Sequence, residues 1–360
     1  MKRVLVYGMT DNFGGMEAYI HNIYQHLDRK KIQFDFVCDF PRMTLSDYYL
    51  ENGCKIYFIP PKSQGLLKSL WGMWKVIREN NYDVIYFNIM NAGYVLNMLP
   101  AFLLGKKIIA HSHNADTDKK NLHYRLRGLL NFVATVKLAC SEAAGNFMFG
   151  NHSDYILIKN AIDLDKYQYD IKKYNLIRDK LGWDINYKVV LYVARMDYQK
   201  NPFFTLNIIK KINQLDPSVH FAYIGDGPMK EDIINYIEIN KINNIHLLGI
   251  RFDVNELMIA SDVLILPSLF EGLGIVAIEA QAAGLPVYLS NTIPPDAKIL
   301  SSTEFLPIDT KDVDLWALKI VKTLNAKNSR KSDKKILDNA GYNINLVTQQ
   351  LQTILLNYRK

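Results

Sequence analysis

Short apolar runs recur along the chain, and each gives way to a stretch whose apolar positions fall at helical spacing. In the first half the runs Val4–Tyr7, Phe34–Cys38, Lys55–Ile59, Val84–Phe87, Ile108–His111 and Val136–Cys140 predict strands. Glu17–Leu27, Leu66–Glu79 and Tyr124–Phe132 predict helices between them. The apolar runs are near-continuous rather than alternating, as expected of strands covered on both faces of a parallel sheet. The rhythm breaks over residues 157–167. It restarts with Val189–Val193, Phe221–Ile224, His246–Leu248, Val263–Leu266 and Val287–Leu289, each followed by a helical segment. Two βα series separated by a linker predict an α/β protein of two Rossmann-like domains. The segment Asn343–Tyr358 is helical in pattern, and periodicity does not say which domain it joins.

Length agrees with that division, since 360 residues at ~150 per domain gives two. Apolar residues make up 49% and charged residues 22%, which excludes a disordered or fibrous chain. The net charge of +7 is thin for a nucleic-acid binder and suits an anionic small molecule or an anionic membrane surface. Cys38, Cys54 and Cys140 are scattered in or beside apolar runs without a CxxC spacing, so they read as buried core residues rather than a disulfide or zinc framework. The N-terminal apolar run is too short for a signal peptide, and no stretch reaches the ~18 apolar residues of a spanning helix. A cytoplasmic protein is expected.

Candidate chemistry concentrates where strands end. Gly14-Gly15-Met16-Glu17 follows the first strand and opens a helix, leaving backbone N–H groups uncovered for an anion; a tight βα turn explains the same glycines. In the second half Arg195 and Lys200 follow a strand at the sheet edge where α/β folds bind ligands. There they would set two cations beside a phosphate, although each taken singly also reads as a solvated surface charge.

The richest stretch is Pro267–Pro286. A strand ends, a loop with Gly272 and Gly274 follows, and a helix runs to Gly284, with Pro286 as its stop. That helix is apolar nearly all round and yet carries Glu279, and a buried carboxylate requires donors. Helical side chains lean toward the helix N-terminus, so Glu279 is aimed back at the Gly272–Gly274 loop. Ribose hydroxyls of a nucleotide whose diphosphate sits on the helix start would satisfy it. The competing expectation is an internal ion pair with an Arg or Lys.

Glu271 and Glu279 form an E-x7-E pair, and with it the chain resembles the retaining GT-B glycosyltransferases of family 4, in the bacterial branch that builds capsular and extracellular polysaccharides. Gly14-Gly15-Met16-Glu17, Asn160-Ala161-Ile162-Asp163, Arg195…Lys200-Asn201, Gly225-Asp226-Gly227-Pro228 and Leu248-Gly249 extend the likeness over nearly the whole chain. The resemblance implies a GT-B fold: two Rossmann-like domains facing across a cleft, with the last helix crossing back to the first. The domains are then 1–164 plus 342–360 on the acceptor side and 165–341 on the nucleotide-sugar side.

It further implies roles. Arg195 and Lys200 hold the donor diphosphate and stabilise the leaving group. Gly15 and the backbone at Gly272, Leu273 and Gly274 lie against phosphate and sugar. Glu271 accepts from donor-sugar hydroxyls, Glu279 accepts from the ribose, and Ile250 and Arg251 flank the base. His113 matches the active-site histidine, whereas His111 is expected to face the opposite way as a structural residue. The chain departs from the pattern at Ala161 and Ala194, where glycine is common, and at Tyr86 and Asn88, where histidines are frequent.

The activity so implied is transfer of a sugar, with retention, from a nucleotide diphosphate donor, UDP-linked by expectation, to a glycan or lipid-linked saccharide. No cofactor and no metal are expected, although Asp116/Asp118 and Asp163/Asp165 form DxD-like pairs. Two rival readings stand beside it, a GT-B nucleotide-sugar epimerase and a catalytically silent nucleotide-sugar binding protein. The second is expected to lack Glu279, Arg195 or Lys200, all of which are present. An NAD-dependent oxidoreductase is disfavoured because no GxGxxG follows the first strand. The basic, amphipathic segment Leu66–Arg78 has two readings, a peripheral membrane contact or a surface helix packing Leu67, Leu70, Trp71 and Trp74 inward. The surface helix is the expectation. A second basic cluster, Lys119, Lys120, Arg125 and Arg127, could meet an acceptor diphosphate or only solvent.

Overall fold

A computed structural model describes residues 1–326, 330 and 332–357. Its contacts divide the chain into two compact units, one formed by Met1–Ile162 with the segment from Asn343 onward, the other by Asp163–Tyr342.

The first unit is built on seven strands: β1 (Lys2–Tyr7), β2 (Ile32–Cys38), β3 (Ile56–Phe58), β4 (Val84–Ile89), β5 (Lys107–Ser112), β6 (Val136–Ala139) and β7 (Ile156–Leu157). Their order is β3-β2-β1-β4-β5-β6-β7, and every pairing is parallel. All residues of β2, β4 and β5 are buried, which is why their sequences show no alternation. The three cysteines are free and buried, as read from the sequence.

The second unit has six strands: β8 (Lys188–Val193), β9 (Val219–Ile224), β10 (Ile245–Gly249), β11 (Val263–Leu266), β12 (Val287–Ser290) and β13 (Thr303–Leu306). The order is β10-β9-β8-β11-β12-β13, again all parallel. Each sheet therefore reverses direction beside its first strand, between β1 and β4 and between β8 and β11. Crevices outside the carboxyl ends of strands at such reversals are where open α/β sheets take ligands.

The helix Ile344–Leu356 belongs to the first unit. Its Ile344, Val347, Leu351 and Leu355 are buried in one cluster with Tyr19, Ile20 and Ile23 of the helix Gly15–His26. A parallel bridge, Ile162↔Asn343, sets the start of this segment beside the residue where the chain leaves the unit. Tyr358, where the sequence pattern ends, lies outside the described residues.

The helix Leu66–Asn80 corrects an expectation. Its buried residues are Ser69, Met73 and Ile77, while Leu67 is 81% and Trp71 66% exposed; Leu70 and Trp74 are half-buried. The reason is close approach by small residues: a Cβ on Gly72 would stand 3.1 Å from Cβ of Ile59. Seating the helix on its Ser69/Gly72 side turns Leu67 and Trp71 outward. Among the described residues, no helix is long and apolar enough to cross a membrane.

Candidate active site

In the second unit the loops after β8 and β11 leave adjacent strand ends and are tied together. Leu269 N–H donates to Gln199 O at 2.8 Å, and the Gln199 amide donates to Phe270 O at 2.9 Å. The tie brings Lys200 Nζ to 2.6 Å from Oε1 of Glu271, and the Ser268 hydroxyl donates to the same oxygen at 2.7 Å. Lys200 closes the short 3-10 turn Tyr198–Lys200, whose start is capped by Asp197, and its carbonyl accepts from Tyr192 Oη. Glu271 is nearly buried, so its charge requires this pairing.

Arg195 stands on the same loop, mostly exposed, with Nε 3.0 Å from Asp197 Oδ2. The backbone beneath it is braced by the loop after β9. Gly225 has φ +140°, and a Cβ there would lie 2.0 Å from Ala194 O; one on Gly227 would lie 2.5 Å from Met196 O. Only glycine permits that contact. Beyond β10, Ile250 is 55% exposed, and Arg251 is held by Asp253.

The E-x7-E segment folds as its sequence suggests. Gly274, at φ +76°, precedes the helix Ile275–Ala282, and Gly284 follows it at φ +71°. No side chain caps the helix start and no acidic residue lies in its first turn, so no side-chain charge offsets its dipole there; of its first N–H groups, that of Ala277 donates to Gly274 O at 2.8 Å. Glu279, one turn further on, accepts a hydrogen bond from Tyr167 Oη at 2.8 Å. Burial pushes the Glu279 carboxyl up to about 7, and the Tyr167 bond opposes that rise. The expected internal partner was a Lys or Arg; the donor found is a neutral hydroxyl from the crossover segment. Tyr167 was not legible as a site residue, because 112 positions separate it from its partner.

In the first unit Gly14 N–H donates to Glu17 Oε2 at 3.0 Å and Thr10 Oγ1 to Glu17 Oε1 at 2.7 Å, which fixes the start of the helix Gly15–His26. A Cβ on Gly15 would meet nothing within 4 Å, so the helix start is open to approach. His113 lies just past β5, its backbone N–H donating to Ile89 O at 3.1 Å. The side chain is buried, with Nε2 2.9 Å from Asn88 Oδ1. His111 does not face the other way. Its ring centroid is 4.3 Å from that of His113, because residues two apart on an extended chain share a face. His111 Nδ1 meets Tyr86 Oη at 2.6 Å, and Tyr86 Oη meets Tyr19 Oη at 3.1 Å.

Each DxD-like pair has a carboxylate engaged by a lysine. Asp116 pairs with Lys120 and Asp165 with Lys334. Among the described residues, no group of three or more His, Cys, Asp or Glu is placed to hold a metal ion.

Two parallel-sheet units of this topology, with the last helix returned to the first, constitute the GT-B architecture. Residues 13–166 match the family described as Glycosyltransferase Family 4, and residues 173–340 match Glycosyl transferases group 1. The chain belongs to these GT-B glycosyltransferases of the family 4 type. It is 27% identical over 345 residues to the UDP-Gal:alpha-D-GlcNAc-diphosphoundecaprenol alpha-1,3-galactosyltransferase of Escherichia coli, covering 89% of this chain and 88% of that one. Among solved structures it superposes on Anabaena Alr3699/HepE in complex with UDP and glucose with TM-score 0.81 at 18% identity, covering 99% and 100% of the two chains. It also resembles WaaG, a glycosyltransferase involved in lipopolysaccharide biosynthesis, with TM-score 0.72 at 16% identity over 99% and 100%.

Proposed function

We propose that this glycosyltransferase moves a sugar, with retention of anomeric configuration and without a metal, from a UDP-linked donor to a hydroxyl of a lipid-linked saccharide during surface polysaccharide synthesis. The observation that carries the reading is the convergence of Lys200, Glu271 and the uncapped start of the helix Ile275–Ala282 at one pair of strand ends. Cations and free N–H groups there suit a diphosphate, and the charge on that group grows as the glycosidic bond breaks. Lys200 and Arg195 therefore serve the departing diphosphate, and Glu271 exchanges Lys200 for hydroxyls of the donor sugar. Glu279, one turn along the same helix, accepts from the ribose while Tyr167 holds its other side.

Ile250 and Arg251 flank the base. A lipid-linked acceptor and a UDP donor agree with what the Escherichia coli relative acts on. An acceptor carried on a lipid also gives a use to the exposed Leu67 and Trp71 beside Lys68 and Lys75, as a peripheral contact at the inner face of the cell membrane.

The deciding experiment incubates the protein with a panel of UDP-sugars and a diphosphoundecaprenyl-linked N-acetylglucosamine acceptor, and assigns the new linkage by NMR. An α-linked product from an α-linked donor is expected. Inversion would overturn the retaining assignment. Donor consumption without any acceptor would replace transfer by epimerisation.

A further inference from the structure

Four polar side chains of the first unit form a relay past the carboxyl ends of β1 and β2. Lys62, which opens the 3-10 turn Lys62–Gln64 after β3, donates from Nζ to Oδ1 of Asn97 at 2.7 Å. Asn97, on the helix Val95–Leu103, donates from Nδ2 to Tyr7 Oη at 3.2 Å. Tyr7, the last residue of β1, donates to Oδ2 of Asp39 at 2.7 Å. An ammonium only donates and a carboxylate only accepts, so the direction of every bond is fixed. Asn97 and Tyr7 are buried, whereas Lys62 and Asp39 are partly exposed. The relay thus has a cationic end and an anionic end at the sheet edge where α/β folds take ligands.

Both ends have unused capacity. Nζ of Lys62 bonds an amide rather than a carboxylate and stands 5.3 Å from the centre of the Tyr94 ring. Burial lowers its pKa, Asp39 opposes that fall and Lys119 adds to it, so this ammonium gains from an anion beside it. Among the described residues, Oδ1 of Asp39 accepts no hydrogen bond, which leaves it for a donor. A sugar diphosphate has the same polarity, with phosphate at one end and hydroxyl donors at the other. The next element indicates what the phosphate is joined to. The helix Leu66–Asn80 begins just beyond the turn and packs against it, and its Leu66 and Leu67 are 41% and 81% exposed. A phosphate that continues into hydrocarbon uses both features.

We propose that Lys62 binds the diphosphate of the lipid-linked acceptor, while Asp39 at the other end of the relay accepts from hydroxyls of its saccharide. The inference rests on the lipid-linked acceptor proposed above. Lysine holds phosphate as a point charge with three donors, and Asn97 takes one of them, which leaves two for phosphate oxygens. Asp39 repels phosphate from its own end and so sets the direction in which the acceptor lies. Asn97 and Tyr7 are positioning residues that hold the two charges apart.

The test measures binding by calorimetry with the full chain, its donor site filled by a small excess of UDP. The probes are an N-acetylglucosaminyl diphosphate with a short alkyl tail, the alkyl N-acetylglucosaminide without phosphates, and inorganic pyrophosphate. The parent should bind the first at least about tenfold more tightly than either of the others. Lys62→Gln keeps a donor for Asn97 and removes the charge, so it should bring the two saccharide probes to equal affinity; Lys62→Arg should retain the preference. Asp39→Asn should weaken both saccharide probes by the same factor. A preference that survives Lys62→Gln overturns the proposal. Pyrophosphate binding as tightly as the alkyl diphosphate also overturns it, since the site would then serve free phosphate. So does a loss of UDP affinity in Lys62→Gln, which would place Lys62 at the donor. Affinity is read without transfer, so its failure is distinct from failure of the functional reading, which would appear as absent transfer by the parent enzyme.

Discussion

Lys200 and Glu271 lie 71 positions apart in sequence, yet their charged atoms meet at 2.6 Å, with the Ser268 hydroxyl on the same carboxylate oxygen. The pair ties together the two loops that leave adjacent strands. It also means that the free site holds its own counter-ion. On the proposed function, a diphosphate arriving at Lys200 competes with Glu271 for the ammonium.

That competition separates binding from turnover. Glu271→Gln keeps the shape of the side chain and removes the negative charge, which lies within several ångströms of an anion beside Lys200. At intermediate dielectric this relieves about 1 kcal/mol of repulsion, so UDP should bind roughly five-fold more tightly. Transfer should nevertheless slow, because Glu271 no longer accepts strongly from donor hydroxyls. Calorimetry with UDP and initial rates on one preparation check this. Weaker UDP binding by the variant would mean that Glu271 aids the nucleotide directly.

Glu279 makes two opposite predictions. As a ribose acceptor, its replacement by Ala should cost ~1.5–3 kcal/mol of UDP affinity, measured by calorimetry. As a carboxyl held at about 7 by burial, it also opposes folding once ionised. Between its ordinary value near 4.5 and about 7, the unfolded chain has released this proton and the native protein retains it, so native stability falls as pH rises through that window. Glu279→Gln removes the slope. Above pH 7 the variant should gain on the order of 1–2 kcal/mol, after allowance for solvent at a half-buried group, and at pH 4 the two proteins should unfold alike in denaturant titrations. Tyr167→Phe removes the bond that favours the ionised form, so its loss of UDP affinity should be larger at pH 6.5 than at pH 8.5.

Transfer should survive chelation. Arg195, Lys200 and the helix start already supply positive potential, and Asp116 and Asp165 are engaged by Lys120 and Lys334. Rates with excess EDTA should match those with added Mg²⁺ or Mn²⁺. Activity lost to the chelator and restored by metal would overturn the leaving-group roles of Arg195 and Lys200.

The outward Leu67 and Trp71 should insert into anionic vesicles, with Lys68 and Lys75 supplying attraction that salt weakens. Leu67→Ser/Trp71→Ser should abolish sedimentation with phosphatidylglycerol vesicles while leaving the thermal transition in place, since neither side chain is buried. Equal sedimentation of parent and variant would remove this face from the contact.

The central strands were legible because burial on both faces imposes continuous apolar runs, as in β2, β4 and β5. The edges were not. β7 is two residues long with Ile156 exposed, and β13 carries Thr303 and Glu304, so neither had an apolar run to announce it. For the helix Leu66–Asn80 an amphipathic pattern was visible, but which stripe faces inward depended on Gly72 meeting Ile59, a contact between elements. The need of Glu279 for a donor followed from its apolar helix. That Tyr167 provides one did not, because pairing across 112 positions leaves no local trace.

The return of the helix Ile344–Leu356 to the first unit has a consequence for how the protein is made. Residues 163–342 emerge from the ribosome as a continuous stretch and can assemble their sheet while synthesis proceeds. The unit that begins the chain must wait. Its cluster around Tyr19, Ile20 and Ile23 stays uncovered until Leu351 and Leu355 have been translated, so the segment made first completes its packing last. Until then an apolar surface persists on a nascent chain whose second sheet, ending at Leu306, has already been translated. A stop codon before Ile344 would leave that surface uncovered for good.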